Sequence, residues 1–286
     1  MNVPLVSVLI TAYNRENFIG EAVESVLAST YTNFELIIID DCSTDDTVHI
    51  ARAYQTKDKR VRIFENERNI GQFKNRNRAA EVANGTFIFY VDSDDTVLPN
   101  GIELLVQTMR RYPNASFGMY WNQTPDKEVV ELNSKTAIYN HFFRAPFLLM
   151  GPGGTIIRRN FFLEIGGYTE KYNAAGDMYF NLKACSFSPI VRLPFEFMTY
   201  RRHDGQELNS PYEYLYNSYR YLREALVELP LQLSNNELKW LRKKNSRRFL
   251  VNIMKYLIRT RDLKATNTAI KNSNFKLKDA FEGIFH

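Results

Sequence analysis

Three carboxylates, Asp92, Asp94 and Asp95, fall within four residues of one another in the stretch FIFYVDSDDTVLP, residues 87–99. Like charges this close repel one another, so their placement needs a cause. Either they form a solvated turn, or they hold a cation together with something anionic. Carboxylate oxygens are hard ligands for Mg²⁺ or Mn²⁺, which favour oxygen sites completed by water and phosphate. In the spacing Asp92-x-Asp94 one carboxylate can face a metal while the other reaches a ribose hydroxyl or a metal-bound water. Taken alone the string is weak, because acids after strands are common turn residues.

The elements that must position these acids are legible in the pattern. LVSVLITAY and FELIIIDD read as buried strands, RVRIFEN as a short third and TFIFYVDSDD as a fourth. Between them lie helical segments. In NRENFIGEAVESVLAST, Phe18, Ile19, Ala22, Val23, Val26 and Leu27 make one apolar face; STDDTVHIARAYQ opens with capping residues. GQFKNRNRAAEVANG reads as a helix closed by Gly85 at its C-cap, and LPNGIELLVQTMRRYP as one stopped near Pro113. Alternating strands and helices predict an α/β fold, a mostly parallel sheet covered on both faces. In such sheets ligands bind outside the carboxyl ends of the strands. Those ends carry Thr11-Ala12-Tyr13-Asn14, Asp40-Asp41 and Asp92-Ser93-Asp94-Asp95, so three polar groups converge on one rim. A solvated turn accounts for one of them, less readily for three.

Beyond Ala115 the pattern loosens. SFGMYWNQ reads as a strand, GPGGTIIRRNFFLEIGGY as a Gly-rich loop, short strand and helix, and DMYFNLKACSFS as a helix with Asp177 in its first turn. IVRLPFEFMTYRRH reads as one more strand ending in a polar loop, and everything from Tyr212 onward as helix.

With 286 residues, 44% hydrophobic and 24% charged, the chain can bury a real core. The two cysteines, Cys42 and Cys185, are far apart; this argues against a disulfide scaffold or zinc site and fits a reducing cytoplasm. The apolar run at the start is strand-length, too short for a signal or a membrane span. Net charge is +5. The segment Lys239 to Lys264 holds KWLRKKNSRR and IRTRDLK with Asp262 as its single acid. Such a patch suits nucleic acid or an anionic membrane surface.

Three ordered stretches, VSVLITAYNRENFIGEAVESVL, FELIIIDDCSTDDT and NERNIGQFKNRNRAAEVANGTFIFYVDSDD, resemble the family 2 glycosyltransferases over roughly residues 5 to 105. Weaker matches follow at GGTIIRR, IGGY, Gly176-Asp177 and Tyr200 to His203. The resemblance implies the GT-A fold, a Rossmann-like, mostly parallel sheet flanked by helices, here with a helical C-terminal extension. It also implies sugar transfer from a nucleotide-sugar. On the matching positions, Thr11 and Tyr13 hold the nucleobase and Asp41 accepts from its N3–H, which uracil and thymine present. Arg76 lies over the base or diphosphate. Asp92 binds ribose, with Ser93 on the donor side, Asp94 ligates Mn²⁺ or Mg²⁺, and His203 approaches the metal. Asp95 stays open as a cap of the next segment. Asp177 falls on the general base, a role compatible with a helix N-terminal acid. Many family members have two acids there; this chain has Gly176-Asp177 and so one candidate. Glu164 and Glu170 read as surface acids.

The implied reaction is direct displacement with inversion, moving a hexose from a UDP-sugar ahead of a dTDP-sugar to a glycan or lipid-linked acceptor in bacterial surface polysaccharide or lipopolysaccharide synthesis. The expected organisation is a catalytic domain over 1–210, with a donor half (1–114) and an acceptor half (115–210), followed by a basic helical extension (211–286). A nucleotidyltransferase shares the architecture but wants a Gly-rich loop where this chain has TAYNREN. A non-catalytic binder of nucleic acid or membrane would use the basic helices. Their interleaved apolar residues suit an interfacial helix, so the expectation is a cytoplasmic protein, peripheral on the inner membrane face, with no nucleic-acid partner.

Overall fold

A computed structural model describes residues 3–121, 128–203 and 211–284, which divide into two compact units. The first comprises Met1–Asn133, Phe147–Tyr168 and Ser188–Asp204; the second comprises Ser134–Pro146, Thr169–Phe187 and Gly205–His286. In chain order the first half gives β1 (Val6–Ala12), α1 (Ile19–Leu27), β2 (Phe34–Asp40), α2 (Thr47–Lys57), β3 (Val61–Glu65), α3 (Gln72–Val82), β4 (Phe87–Asp92), β5 (Thr96–Val97) and α4 (Gly101–Arg111). Then come β6 (Phe117–Tyr120), β7 (Val130–Leu132), α5 (Ser134–Phe143), β8 (Thr155–Arg158), α6 (Arg159–Glu164), α7 (Gly176–Phe187), β9 (Ile190–Leu193) and β10 (Met198–Thr199). The chain ends in α8 (Pro211–Glu228), α9 (Asn235–Thr260), α10 (Leu263–Ser273) and α11 (Leu277–Ile284).

The first unit is built on a sheet of order β3-β2-β1-β4-β8-β6-β9-β7. Its first four strands are parallel, as the alternating pattern requires. Beyond β4 the sheet is mixed: β8 runs antiparallel to both β4 and β6, and β9 is parallel to β6. Both faces are covered. Val6, Val8 and Ile10 of β1 pack with Leu36, Ile38, Phe87 and Phe89 under the apolar stripes of α1 and α4. On the opposite face Leu9, Ile37, Ile39, Ile88 and Tyr90 are buried on the side of α3, and Tyr90 donates its hydroxyl to the Arg76 carbonyl at 2.9 Å.

Two local expectations are corrected. Gly85 is not the C-cap of α3, which ends at Val82 with Ala83 in the cap position. The glycine is required because a Cβ there would stand 2.5 Å from the backbone nitrogen of Ser7. IVRLPFEFMTY is not one strand: it breaks at Pro194 into β9, inside the large sheet, and β10, which pairs antiparallel with β5. Asn122 and Gln123, read as the end of a strand, lie outside the described residues.

The second unit is helical. Leu215 and Tyr219 of α8, Phe249 and Ile253 of α9 and Ala269 of α10 form its core. Ser234 and Glu237 form a reciprocal capping box that starts α9. Among the described residues no helix is long and apolar enough to cross a membrane.

Candidate functional site

The register of the parallel strands puts the polar strand ends in one row. Thr11 lies opposite Ile39 on one side and Asp92 on the other, and Ala12 opposite Asp40. Tyr13 follows β1 and is exposed at the rim. Asn14 then turns the chain in the left-handed region, φ 53°, a conformation Asn tolerates better than most residues. Its amide donates to Ser43 Oγ at 2.9 Å, and its own Oδ1 accepts from the Thr44 amide at 2.9 Å. Asp40 accepts from the Ser43 amide at 2.8 Å and from the Ser43 hydroxyl, so it shapes the turn after β2.

Asp41 is buried and organises the next loop. Its Oδ1 accepts from Asn66 Nδ2 at 2.6 Å and from the Ile70 amide at 2.8 Å, and its Oδ2 accepts from the Gly71 amide at 2.9 Å. A carboxylate offers about four acceptor positions, so one on Oδ2 remains for a ligand. Asn66 also donates to Asn75 Oδ1 at 2.9 Å, and Asn75 donates to the Ile39 carbonyl at 3.0 Å. The loop is thus tied to the ends of β2 and α3.

Each of the three clustered acids meets a different set of partners. Asp92 Oδ1 accepts from Arg76 at 2.9 Å; Arg76 is itself buried and also donates to Gln72 Oε1 at 3.0 Å. The structure therefore places Arg76 on Asp92, as its direct support. Asp94 Oδ2 stands 3.0 Å from His203 Nε2 and 3.8 Å from Arg15 Nε. Asp95 is buried and accepts from the Arg201 amide at 3.0 Å, so it fixes the strand-end segment that delivers His203, rather than capping the segment after the acids. Burial, only partly offset by that amide, and the charges of Asp92 and Asp94 push the Asp95 carboxyl up to about 7. Ser93 is buried between the acids. The Gly153 of the GPGGT turn comes close as well: a Cβ there would be 3.6 Å from Asp92 Oδ2.

Arg15, Phe18 and Arg201 belong to this cluster and carry no sequence signal of their own. Phe18 reads as part of a helical apolar face, yet it sits at the N-cap of α1 and stacks on the His203 ring with centroids 4.1 Å apart. Arg201 donates to the Asp94 and Phe18 carbonyls and pairs with Glu21. Arg201, two residues before His203 in YRRH, is the one hint the sequence offers.

Asp177 lies in the second unit, in the first turn of α7. The preceding turn is kinked at Asn173, φ 43° and ψ −119°, a region that costs a non-glycine residue strain. Neighbouring residues pin that turn to α8. Lys171 Nζ pairs with Glu224 at 2.6 Å and Glu228 at 3.3 Å, and the Tyr172 hydroxyl donates to Glu224 at 2.8 Å. Glu164 and Glu170 are exposed.

A carboxylate and an imidazole 3.0 Å apart are spaced like two neighbouring ligands of an octahedral ion, whose bonds of about 2.1 Å put adjacent donors about 3 Å apart. No group of three or more His, Cys, Asp or Glu side chains forms a ready metal cage among the described residues. Asp94 Oδ2 and His203 Nε2, at hydrogen-bond distance from each other, are an oxygen and a nitrogen donor that would suit a divalent ion.

The family model for "Glycosyl transferase family 2" matches residues 7–166. GlyG, a glycosyltransferase of Streptococcus pneumoniae serotype 4, is 39% identical over 119 residues, which are 41% of this chain and 40% of that one. WfgD of Escherichia coli, a UDP-Glc:alpha-D-GlcNAc-diphosphoundecaprenol beta-1,3-glucosyltransferase, is 37% identical over 130 residues, 46% of this chain and 48% of that one. The matched region thus spans less than half the length of either relative. The S. aureus TarS 1–349 structure, in complex with UDP-GlcNAc, superposes with a TM-score of 0.72 over 93% of this chain and 79% of that one; at 21% identity this likeness concerns the fold. With its family model covering more than half of the chain and the sheet of that fold beneath the matched motifs, the protein belongs to glycosyl transferase family 2.

Proposed function

We propose that the protein transfers a sugar from a UDP-sugar, with Mn²⁺ or Mg²⁺, to a hydroxyl of a glycan or lipid-linked acceptor, inverting the anomeric carbon. The observation that carries this reading is the single row of strand ends in which Thr11, Asp40, Asp41 and Asp92 line up, with Asp94 of the same acid turn 3.0 Å from His203. Tyr13 and Thr11 face the base and the open acceptor position of Asp41 takes its N3–H. Asp92, steadied by Arg76, binds ribose, with Ser93 beside it. Asp94 and His203 are the ligands of a divalent ion, which when bound neutralises charge on the diphosphate.

Asp177 accepts the proton of the acceptor hydroxyl as that oxygen bonds to the anomeric carbon. The carbon–oxygen bond to the diphosphate breaks in the same step, and UDP leaves with the bonding pair. Residues 1–114 are the donor half, 115–210 the acceptor half and 211–286 a helical extension. Support for a UDP donor comes from the carboxylate at Asp41 and from two similar proteins, TarS, whose structure holds UDP-GlcNAc, and WfgD, named for UDP-Glc. WfgD's diphosphoundecaprenol acceptor supports a lipid-linked acceptor, and TuaG of Bacillus subtilis, named for teichuronic acid biosynthesis, supports surface polysaccharide synthesis; work at the inner membrane face follows from such an acceptor.

Calorimetric titration with UDP, in Mn²⁺ and then in EDTA, tests the reading on wild type and Asp94→Ala. Metal-dependent binding that the variant loses is expected. Wild type that binds dTDP or GDP but not UDP would change the donor; failure to bind any of the three would refute the donor site.

A further inference from the structure

Helix α9 runs through the most basic part of the chain, and among the described residues its packing leaves most of one face open, with the Trp240 ring set against Phe143 of α5 at 5.2 Å between centroids. Leu241, Phe249 and Ile253 point into the core of the second unit. On the other side Trp240, Lys244, Arg247, Val251, Met254 and Ile258 follow a spacing of four and three, which lines them up along a single stripe of an α-helix. Its apolar members are far more open than core residues of their types: Trp240 is 46% exposed, Val251 44%, Met254 59% and Ile258 73%. Lys244 lies over the Trp240 ring at 4.6 Å. Lys243 flanks the stripe on one side, and Arg248, Lys255 and Arg259 on the other. From Lys239 to Arg261 the chain has no acid at all. The stripe extends about 27 Å from Trp240 to Ile258, at about 1.5 Å per residue.

We infer that this stripe is a membrane-docking surface that lies flat on an anionic lipid bilayer. It deepens the proposed lipid-linked acceptor by naming the surface on which such an acceptor is met. The four-three spacing would equally suit a helix pairing with a second copy of itself. Charge decides against that: self-pairing sets Lys244, Arg247 and their flanking cations against one another, where a paired helix needs opposite charges at the seam edges. A nucleic acid would satisfy the cations but leave Val251, Met254 and Ile258 facing phosphate and water. A bilayer interface satisfies both kinds of residue. Acyl chains take the aliphatic side chains, tryptophan sits at headgroup depth, and anionic headgroups meet the lysines and arginines.

Sedimentation of the full chain with phosphatidylcholine vesicles, with and without phosphatidylglycerol, tests this. The variants are Met254→Glu/Ile258→Glu and Lys244→Glu/Arg247→Glu. All four substitutions are at exposed sites, and an unchanged melting temperature checks the fold. Wild type is expected to sediment with vesicles that contain phosphatidylglycerol and to lose that binding in about 1 M salt, where charges are screened beyond about 3 Å. Each double variant should bind such vesicles roughly tenfold more weakly or worse. No binding of wild type at low salt, or equal binding by Met254→Glu/Ile258→Glu, overturns the inference. So does a concentration-dependent dimer that this variant abolishes while vesicles are ignored, which would assign the stripe to a second copy. Binding of duplex DNA in place of vesicles would assign it to nucleic acid and overturn it as well. UDP titration of the same samples keeps the donor site separate: vesicle binding without UDP binding refutes the donor reading alone, and the reverse refutes the docking surface alone.

Discussion

His203 reaches back over 109 positions of chain to set its Nε2 3.0 Å from Asp94 Oδ2, with its ring stacked on Phe18. Stacking fixes the plane of the imidazole, and the Arg201 amide on Asp95 fixes the backbone two residues earlier. An imidazole held this way offers a nitrogen ligand that Mn²⁺ accepts more readily than Mg²⁺. If the proposed donor site holds, His203→Asn should leave the proposed UDP contacts to Asp41 and Asp92 in place and weaken metal support. The Mn²⁺ concentration for half-maximal turnover is expected to rise by at least the roughly 10- to 100-fold that loss of a supporting group costs. Activity against Mn²⁺ concentration measures it; an unchanged curve would remove His203 from the metal site.

Asp177→Asn keeps the size of the side chain in the first turn of α7 but cannot take a proton. Loss of a positioned general base should lower kcat about 100- to 10,000-fold. Calorimetric UDP affinity and the melting temperature should stay as in wild type. If the variant retains wild-type kcat, the base lies elsewhere in the chain.

Glu35 sits near the start of the apolar strand β2, where it accepts from Ser7 Oγ at 2.6 Å, the Asn84 amide at 2.6 Å and Arg62 at 2.7 Å. Burial alone would raise its pKa, but these donors outweigh it and hold the carboxyl below the usual range. A carboxylate depressed in the folded state adds stability above its unfolded pKa of about 4.3, and that contribution is lost as pH falls through the folded value. Glu35→Ala should cost about 3 kcal/mol at neutral pH, since three buried or half-buried donors lose their acceptor. Urea midpoints should converge between wild type and variant as pH drops below about 4. A constant gap would show that the charge of Glu35 contributes nothing.

The fold and the polar rim at the strand ends were legible to different depths. The β1-to-α4 stretch alternates buried strands with striped helices, and parallel pairing then forces Thr11, Asp40 and Asp92 into one row. Later elements are short, and a hydrophobic run such as IVRLPFEFMTY does not reveal that Pro194 divides it between two sheets. The partners of the acids were hidden for another reason. Arg201 meets Asp94 and Asp95 across more than a hundred positions, and Arg76 meets Asp92 from a helix whose mean polarity reads as solvent-facing. Sequence spacing carries periodicity within an element; it carries nothing about which distant cation will neutralise which acid.

His141 of α5 is buried, and burial, reinforced by the Lys244 charge, lowers its pKa to about 4. The sign depends on which state takes up the proton. An unfolded histidine protonates near pH 6.5, whereas the folded one stays neutral until about pH 4. Between those values the unfolded chain gains a proton that the native chain refuses, so stability falls as pH falls, by about 1.4 kcal/mol per pH unit and roughly 3 kcal/mol in all. Raised acids such as Asp95 act in the opposite direction, so the whole-protein curve mixes the two. The difference between wild type and His141→Gln isolates the imidazole. Denaturation midpoints at successive pH values should show the variant's stability rising relative to wild type from pH 6.5 down to about 4 and parallel to it above. Parallel curves throughout would mean that the buried ring accepts its proton without cost.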